Sequence, residues 1–392
     1  MRGRGILLLL AAAIVVTVVV EPARVTVQTL ALLPNLLDSG PRPLDWFSGE
    51  PTRITLPYRS VAAAAGLAPA EAAGDLADLW LPQGASAEHR FGAMLLVFGV
   101  NNLGRSHPEV ERVAEALART GVVVLVPDSA TLLAGRLEVN EIDGIVRAFE
   151  LLASRPGVDS GRIGIIGFSV GGSLALIAAT DPRIAHEVRY VNAFGAYADA
   201  RTYLASVAAH AYRLDAAEVD WQPSDLTLEV CSRFLLEQIT DADDRAALAD
   251  AYQASLLAGE RLEADPELAR RLGGTGRRVY DLVTTRSLDE ATGAVERLPS
   301  STLRFLDAIS PSGQLESLQA DVYLMHDVAD HHVPYVESRA LAEPLSARQS
   351  LARHTEFRLF DHVQPDDVDL VAAAPELWKL LWHVQAVMVE TL

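Results

Sequence analysis

A serine between two glycines, at the junction of an apolar strand and a helix, constrains this chain more than any other feature. Residues 162–180 read RIGIIGFSVGGSLALIAAT, in which an Ile-rich run ends at Gly167 and small and aliphatic residues continue beyond Gly171. A G-x-S-x-G turn has this order because the serine hydroxyl must stand clear on a strained backbone, where glycines let strand and helix approach closely. The pentapeptide alone would also suit an ordinary strand-to-helix turn. In this context, Ser169 is predicted to be a nucleophile.

Apolar runs and helical patterns alternate along the chain. The runs 92–100 and 122–127 are continuously apolar, as in strands that are buried on both faces. Between them, residues 106–121 are predicted to form a helix capped by Ser106. Residues 142–152 carry apolar side chains at helical spacing. This alternation predicts an α/β fold with a mostly parallel, twisted sheet and helices on both of its faces.

Strand patterns also occur near the beginning and near the end of this domain. Residues 52–60 and 75–82 alternate between apolar and polar side chains, which predicts an antiparallel pair. The elements predicted after the serine turn are strands at residues 188–197, 321–325 and 355–360 and a closing helix at residues 375–392.

Residues 199 to about 305 carry no buried-strand pattern. Amphipathic helices are predicted there, which form a helical cap inserted into the sheet domain. Caps of this kind exclude water and shape a pocket. Aromatic residues of the insertion are candidates for the pocket lining, although each is more often part of the cap's own core: Tyr203, Tyr212, Trp221, Phe234 and Tyr252.

The N-terminus begins with two arginines and an apolar run at residues 5–20. Residues 1–22 are therefore predicted to be a membrane anchor or signal segment. No small-x-small cleavage pattern follows, which favours an anchor, and the arginines favour a catalytic domain that is membrane-anchored or secreted, outside the cytoplasm. Residues 23–50 are predicted to be a linker because they contain dense Pro and Gly, and residues 51–392 to be the main domain.

Composition narrows the range of partners. The net charge of -19 leaves no basic surface of the kind that binds phosphate backbones, so nucleic acid is not an expected partner. The single cysteine, Cys231, excludes an internal disulfide and a Cys-based zinc site, and its apolar helical setting predicts a packing role. The sequence leaves the oligomeric state open.

Two late loops carry residues that could activate a serine. A serine nucleophile needs a base, and the base needs a group that orients it. The loop HDVADHHVP at residues 326–334 and the loop DHVQP at residues 361–365 each follow a predicted strand. Ligands bind beyond the carboxyl ends of the strands in an open α/β sheet, so both loops are expected at the edge that carries Ser169.

With these three motifs in this order, the chain resembles an α/β-hydrolase, and most closely the dienelactone-hydrolase-like and prolyl-oligopeptidase-like serine esterases. The resemblance covers the chain from about residue 52 to the end, apart from the insertion. It implies that Asp330 is the catalytic acid and His362 the catalytic histidine. Asp327 replaces a glycine of the family motif and is a rival acid. His354 is the rival base, but it is expected to precede its strand, at the wrong end of the sheet.

The oxyanion of acyl transfer needs preorganised amide donors. The Val170 amide is predicted to be one donor, because it begins the helix after Ser169, where the helix dipole also helps. The family resemblance implies a second donor in the turn after the 92–100 strand, at the Val100 amide, with Asn101 as the runner-up. Phe98 stands where the family has a histidine, and a backbone donor survives that change.

Three histidines and two carboxylates in the 326–334 loop raise the alternative of a metal site: His326, His331, His332, Asp327 and Asp330. Imidazole with carboxylate suits zinc or iron. Adjacent histidines on a loop point in different directions, however, so solvated loop residues are the favoured interpretation. No metal and no other cofactor is predicted.

These features together predict a serine hydrolase that cleaves a carboxylic ester, lactone or related small-molecule acyl substrate. A serine peptidase of the prolyl-oligopeptidase kind is an alternative, but too few residues precede the domain to hold that family's β-propeller. A membrane-tethered binding module without activity is another alternative. The ordered Ser, Asp and His argue against it, because a binding module has no physical reason to keep all three.

Overall fold

One sheet of eight strands forms the centre of the fold in the computed structural model, which describes residues 21–36, 41–58, 76–258, 260–361, 364–365 and 374–392. The described strands, in chain order, are β1 (Thr52–Pro57), β2 (Leu76–Leu81), β3 (Phe91–Val97), β4 (Val123–Pro127), β5 (Val158–Phe168), β6 (Val188–Phe194), β7 (Ala211–Leu214), β8 (Ala217–Asp220), β9 (Asp321–Asp327), β10 (Leu351–Phe357), β11 (Phe360–Asp361) and β12 (Gln364–Pro365).

The spatial order of the central sheet is β1-β2-β4-β3-β5-β6-β9-β10. Strand β2 runs antiparallel to both of its neighbours, and the remaining pairs are parallel. The predicted antiparallel opening pair and the mostly parallel sheet are both confirmed. The pairs β7-β8 and β11-β12 form separate two-stranded hairpins.

Helices cover both faces of this sheet and build the insertion. In chain order they are α1 (Glu21–Asn35), α2 (Leu44–Phe47), α3 (Pro108–Arg119), α4 (Ala130–Leu133), α5 (Glu141–Ala153), α6 (Val170–Ala178), α7 (Ala200–Ala209), α8 (Asp225–Glu237), α9 (Ala242–Ala258), α10 (Pro266–Arg271), α11 (Gly274–Val283), α12 (Leu288–Val295), α13 (Ser300–Ala308), α14 (Val336–Ala347) and α15 (Ala374–Thr391).

Successive residues of the central strands pack on opposite faces, as the pleat requires. Leu95 of β3 belongs to the core on one face, together with Phe149 of α5 and Leu174 of α6. Its neighbour Met94 belongs to the core on the other face, where α1, α3 and α15 pack and Met388 is buried. Each central strand is therefore apolar on both faces, which confirms the predicted two layers of helices.

The N-terminal part of the predicted linker forms a helix instead. Within α1, Val25 and Leu32 lie seven residues apart on one face and are buried. The heptad spacing of these apolar residues favours a packed amphipathic helix over a linker, and α1 packs against α15. Residues 1–20 of the predicted anchor, residues 1–22, lie outside the described residues, and its last two residues, 21 and 22, begin α1. Among the helices that are described, none combines the length and apolarity needed to cross a bilayer.

The N-cap of helix α3 lies one residue later than predicted. His107, not Ser106, is the N-cap, and its Nδ1 accepts a hydrogen bond from the Glu109 amide at 3.3 Å. Pro108 occupies the first turn, where its missing N–H would have had no helical partner. Ser106 belongs to a preceding 3-10 turn, Gly104–Ser106.

The insertion lies between β6 and β9, at the carboxyl edge of the sheet. It contains helices α7 to α13, as predicted, and also the hairpin of β7 and β8, whose short, mostly exposed strands carry no buried-strand pattern. Cys231 lies in α8 and packs against the core cluster. Burial raises the pKa of its thiol to about 12, which is consistent with the predicted packing role.

A buried histidine links α15 to the sheet. The His383 ring bonds to Asn192 Oδ1 of β6 at 2.7 Å and to Thr355 Oγ1 of β10 at 2.9 Å. Burial, with smaller contributions from Arg353 and His354, lowers the pKa of His383 to about 3. The folded protein therefore holds this ring neutral, whereas the unfolded chain binds a proton to it below about pH 6.5.

Acidification is expected to destabilise the fold through this ring. The unfolded state binds more protons as the pH falls from 6.5 towards 3, so His383 should lower the free energy of unfolding by about 2 kcal/mol between pH 7 and pH 5. Urea denaturation of the wild type and of His383→Gln at the two pH values measures this. The variant should lose about 2 kcal/mol less on acidification than the wild type. Equal losses in both proteins would contradict the assignment.

Candidate active site

Ser169 lies on a strained turn between β5 and α6. Its φ of 54° and ψ of -132° lie outside the regions that L-residues ordinarily occupy, and its side chain is partly exposed. The Ser169 amide donates to the Phe194 carbonyl at 2.7 Å, which fixes the turn against the end of β6. The backbone strain is localised at the predicted nucleophile, where it holds the hydroxyl clear of the strand and the helix.

The flanking glycines are required by close backbone contacts. A Cβ on Gly171 would lie 2.5 Å from the Val97 carbonyl oxygen, and a Cβ on Gly167 would clash with the backbone of Gly172. The turn can therefore form only where both positions lack a side chain.

The loop after β3 packs directly on this turn. A Cβ built on Gly99 would lie 3.2 Å from Cβ of Ser169 and 3.1 Å from a methyl group of Val170. The next amide belongs to Val100, and the Val170 amide is the first of α6 and has no intrahelical partner. Neither amide takes part in the hydrogen bonds of described turns, caps and loops. Both predicted oxyanion donors thus belong to backbone next to Ser169.

Phe98 takes the position where the resembled family has a histidine, and its ring stacks on Phe168. The ring centroids are 4.7 Å apart and the planes differ by 2°. Because Phe168 precedes Ser169, this stack ties the β3 loop to the serine turn by apolar contact.

Asp330 is a buried carboxylate held by its own loop. Its Oδ1 accepts hydrogen bonds from the amides of His332 at 2.6 Å and Val333 at 3.0 Å. Its Oδ2 lies 3.3 Å from Nε2 of His326, and both side chains are fully buried. Two amide donors on one oxygen fix the orientation of the carboxylate. A carboxylate that is held in this way can orient a neighbouring imidazole.

The rival carboxylate, Asp327, holds backbone with both of its oxygens. It is the last residue of β9, and it accepts the Ala329 amide at 2.8 Å and the Leu359 amide at 2.6 Å. It therefore connects the end of β9 to the chain beyond β10. This arrangement favours a structural role for Asp327. In Asp330, by contrast, both backbone amides donate to the same oxygen, Oδ1.

One of the two candidate bases lies among the described residues. His362 lies outside the described residues, so its contacts are not described, and its neighbours Asp361 and Gln364 pair in the hairpin of β11 and β12. His354 lies inside β10, not before it as predicted, because the strand extends back to Leu351. Its Nε2 lies 3.0 Å from Ser338 Oγ of α14, and burial lowers its pKa. A histidine ring in the middle of β10 that packs on α14 is not positioned to act as the base for Ser169.

The residues of the proposed metal alternative diverge. His331 Nδ1 lies 2.7 Å from the Gln222 carbonyl, and His332 Nδ1 lies 2.9 Å from Ser224 Oγ. His326 instead contacts Asp330 and the Val333 carbonyl. Across the described ranges, no group of three His, Cys, Asp or Glu side chains is arranged to hold a metal ion.

An open pocket adjoins the serine turn through Gly99. Its lining combines apolar side chains, among them Phe98, Leu132, Ile145 and Leu174, with the buried carboxylates of Asp128 and Glu141.

No protein-family model and no curated protein matches the sequence. Solved structures do match. Dipeptidyl peptidase 4 from Porphyromonas gingivalis is 13% identical, with a TM-score of 0.48 over 88% of this chain and 36% of the peptidase. Acylaminoacyl peptidase from Pyrococcus horikoshii is 13% identical, with a TM-score of 0.46 over 80% of this chain and 38% of that one. Dienelactone hydrolase from Anabaena variabilis is 14% identical, with a TM-score of 0.38 over 85% of this chain and 98% of that one.

The chain spans little more than a third of the two peptidases. The fold assignment rests on this chain's own geometry, which has three parts. The sheet has eight strands with one antiparallel strand in second position, a cap follows β6, and a strained serine turn joins β5 to α6. By this architecture the chain has the α/β-hydrolase fold.

Proposed function

We propose that the protein is a serine hydrolase that cleaves a carboxylic ester, lactone or related acyl substrate through Ser169, His362 and Asp330. The observation that carries the proposal is the strained backbone of Ser169, with the β3 loop packed against it. Strain of this kind persists only where the surrounding structure maintains it, and it clusters at functional sites. It argues against a binding module that has lost its activity.

The reaction has two steps. Ser169 Oγ attacks the substrate carbonyl carbon while His362 takes the hydroxyl proton, and the resulting oxyanion accepts hydrogen bonds from the amides of Val170 and Val100. The carbonyl re-forms, the bond to the leaving group breaks, and His362 gives its proton to the leaving alcohol. Water then attacks the acyl-enzyme with His362 again as base, which releases the acid and restores Ser169. Asp330 orients His362 and stabilises its charged form.

Pocket chemistry supports an acyl substrate with an apolar chain. The pocket that contains Gly99 is also lined by Phe98, Leu132 and Leu174. A hydrophobic wall there would contribute binding energy in proportion to the apolar area that the acyl chain buries.

Covalent labelling tests the proposal. A fluorophosphonate probe is expected to modify Ser169, as located by mass spectrometry of the digested protein. Ser173 is an internal control, because its hydroxyl is fully buried and bonded to the Tyr197 carbonyl at 2.9 Å. Hydrolysis of p-nitrophenyl butyrate should exceed hydrolysis of peptidyl p-nitroanilides, and the reverse preference would favour a peptidase. A folded wild-type protein that reacts with neither the probe nor any of these substrates would refute the proposal.

A further inference from the structure

The cap touches the loop that carries Asp330. This acid loop, residues 329–334, follows β9, and the cap residues that reach it lie in α7 and in the segment from residue 221 to residue 227. Three consecutive carbonyl groups of the acid loop accept hydrogen bonds from the cap. Trp221 Nε1 donates to the carbonyl of Asp330 at 2.8 Å, the Ser224 amide to that of His331 at 2.7 Å, and Tyr203 Oη to that of His332 at 2.8 Å.

Two of these three peptide groups also hold the Asp330 carboxylate. The peptide between His331 and His332 donates its N–H to Asp330 Oδ1, while its carbonyl accepts from Ser224. The peptide between His332 and Val333 likewise donates to Oδ1, while its carbonyl accepts from Tyr203. The N–H and C=O of a trans peptide point in opposite directions. Each of these peptides is therefore held between the cap and the carboxylate.

Side chains reinforce this link. Ser224 Oγ lies 2.9 Å from His332 Nδ1, and Thr227 Oγ1 donates to the His332 carbonyl at 3.3 Å. The Tyr203 ring stacks on Tyr197 with a centroid separation of 5.4 Å, which fixes the direction of its hydroxyl. The indole of Trp221 is 8% exposed, so its hydrogen bond is shielded from water.

We infer that Trp221 and Tyr203 are positioning residues, which hold the acid loop so that Asp330 presents its carboxylate to the catalytic histidine. The inference rests on the proposed function. It makes the cap part of the catalytic framework, in addition to any role as a cover over the substrate. A shift of the cap against the sheet would move the peptides that orient Asp330. It would therefore change the activity of Ser169.

Two substitutions remove the donors and keep most of the packing. Trp221→Phe removes the indole N–H, and Tyr203→Phe removes only a hydroxyl. Each is expected to lower kcat/KM for p-nitrophenyl butyrate by about 5- to 10-fold, since a hydrogen bond of this kind stabilises by about 1 kcal/mol. The double variant should lose about 50-fold if the two effects are independent.

Matched controls separate positioning from general destabilisation. Trp80→Phe changes an equally buried indole in β2, which is 9% exposed. Tyr190→Phe removes a buried hydroxyl that bonds to Thr391 of α15. Both controls should keep kcat/KM within about twofold of the wild type, because neither touches the acid loop.

The pH profile gives a readout that a merely structural role would not move. A neighbouring carboxylate raises the pKa of a histidine. If Asp330 is displaced, the acidic midpoint of the kcat/KM profile should move to lower pH in the double variant and stay in place in both controls. His326 also faces the Asp330 carboxylate, from β9, and it is the same in every variant.

The outcomes distinguish this inference from the proposed function. If the wild type hydrolyses the ester and labels at Ser169 but the double variant keeps the wild-type rate and midpoint, the positioning role is wrong and the hydrolase stands. A parallel loss in the control variants, without a shift of the midpoint, would also overturn the positioning role. An inactive wild type would overturn the proposed function itself. Tyr203→Phe, the milder change, decides the question if Trp221→Phe does not fold.

Discussion

Ser169→Ala is expected to lower kcat/KM for ester hydrolysis by a factor on the order of 10⁵ and to abolish fluorophosphonate labelling. Removal of the hydroxyl leaves water as the remaining nucleophile, while the amides of Val170 and Val100 still bind the oxyanion. Alanine keeps the same Cβ as serine, so the strained turn at φ 54° should form as before. The loss should therefore appear in activity and leave thermal stability nearly unchanged.

Ser338→Ala is the matched control for this variant. It removes a buried hydroxyl that lies 3.0 Å from Nε2 of His354, the rival base. Activity should stay within about threefold of the wild type, because surface and structural changes away from the site act on stability. Near-normal hydrolysis by Ser169→Ala, with Ser338→Ala inactive, would exclude Ser169 as the nucleophile and point to the β10 region.

Asp330→Asn is expected to lower kcat/KM by about 10⁴-fold, because an amide can neither stabilise the charged imidazole nor keep the correct tautomer of the base. The asparagine carbonyl can still accept from the amides of His332 and Val333, so the loop should remain folded. Steady-state kinetics with p-nitrophenyl butyrate measure the loss, and denaturation of the same protein confirms its fold.

Asp327→Asn provides the comparison that separates the two candidate acids. Both Asp327 oxygens accept a backbone amide, so an asparagine must place its own NH₂ against the amide of Ala329 or Leu359. That mismatch should lower the free energy of unfolding by about 1 to 3 kcal/mol. Activity at a temperature where the variant is folded should fall far less than in Asp330→Asn. The opposite ranking of the two activities would make Asp327 the catalytic acid.

The strand and helix pattern predicted most of the central sheet correctly. Continuous apolar runs such as 92–100 indicate strands buried on both faces, and the structure confirms them as β3, β4 and β9. The predictions from local sequence patterns were wrong where two patterns in the same segment favoured different structures. Pro and Gly at residues 34–51 suggested a linker that began too early, although the spacing of Val25 and Leu32 already favoured a helix. Ser106 matched a capping box, but Pro108 moved the start of α3 to follow His107.

The candidate active site also has features that the sequence predicted and features that it did not. The G-x-S-x-G turn was predictable because its glycines are required locally, where strand and helix approach each other closely at Ser169. The preference for Asp330 over Asp327 came only from a family resemblance, and the amide partners in which the two carboxylates differ could not be read from the sequence. The roles of Trp221 and Tyr203 had no sequence signal, since both donate to backbone carbonyls that any residue would supply.

The sequence by itself determined the elements of the sheet, the serine turn and the order of the candidate residues, because each depends on periodicity or on contacts between near neighbours in the chain. Only the tertiary structure decided that the cap holds the acid loop. Tyr203 and His332 are 129 residues apart, and Trp221 and Asp330 are 109 apart. Contacts over such separations arise from the packing of whole elements, and local sequence patterns do not encode them.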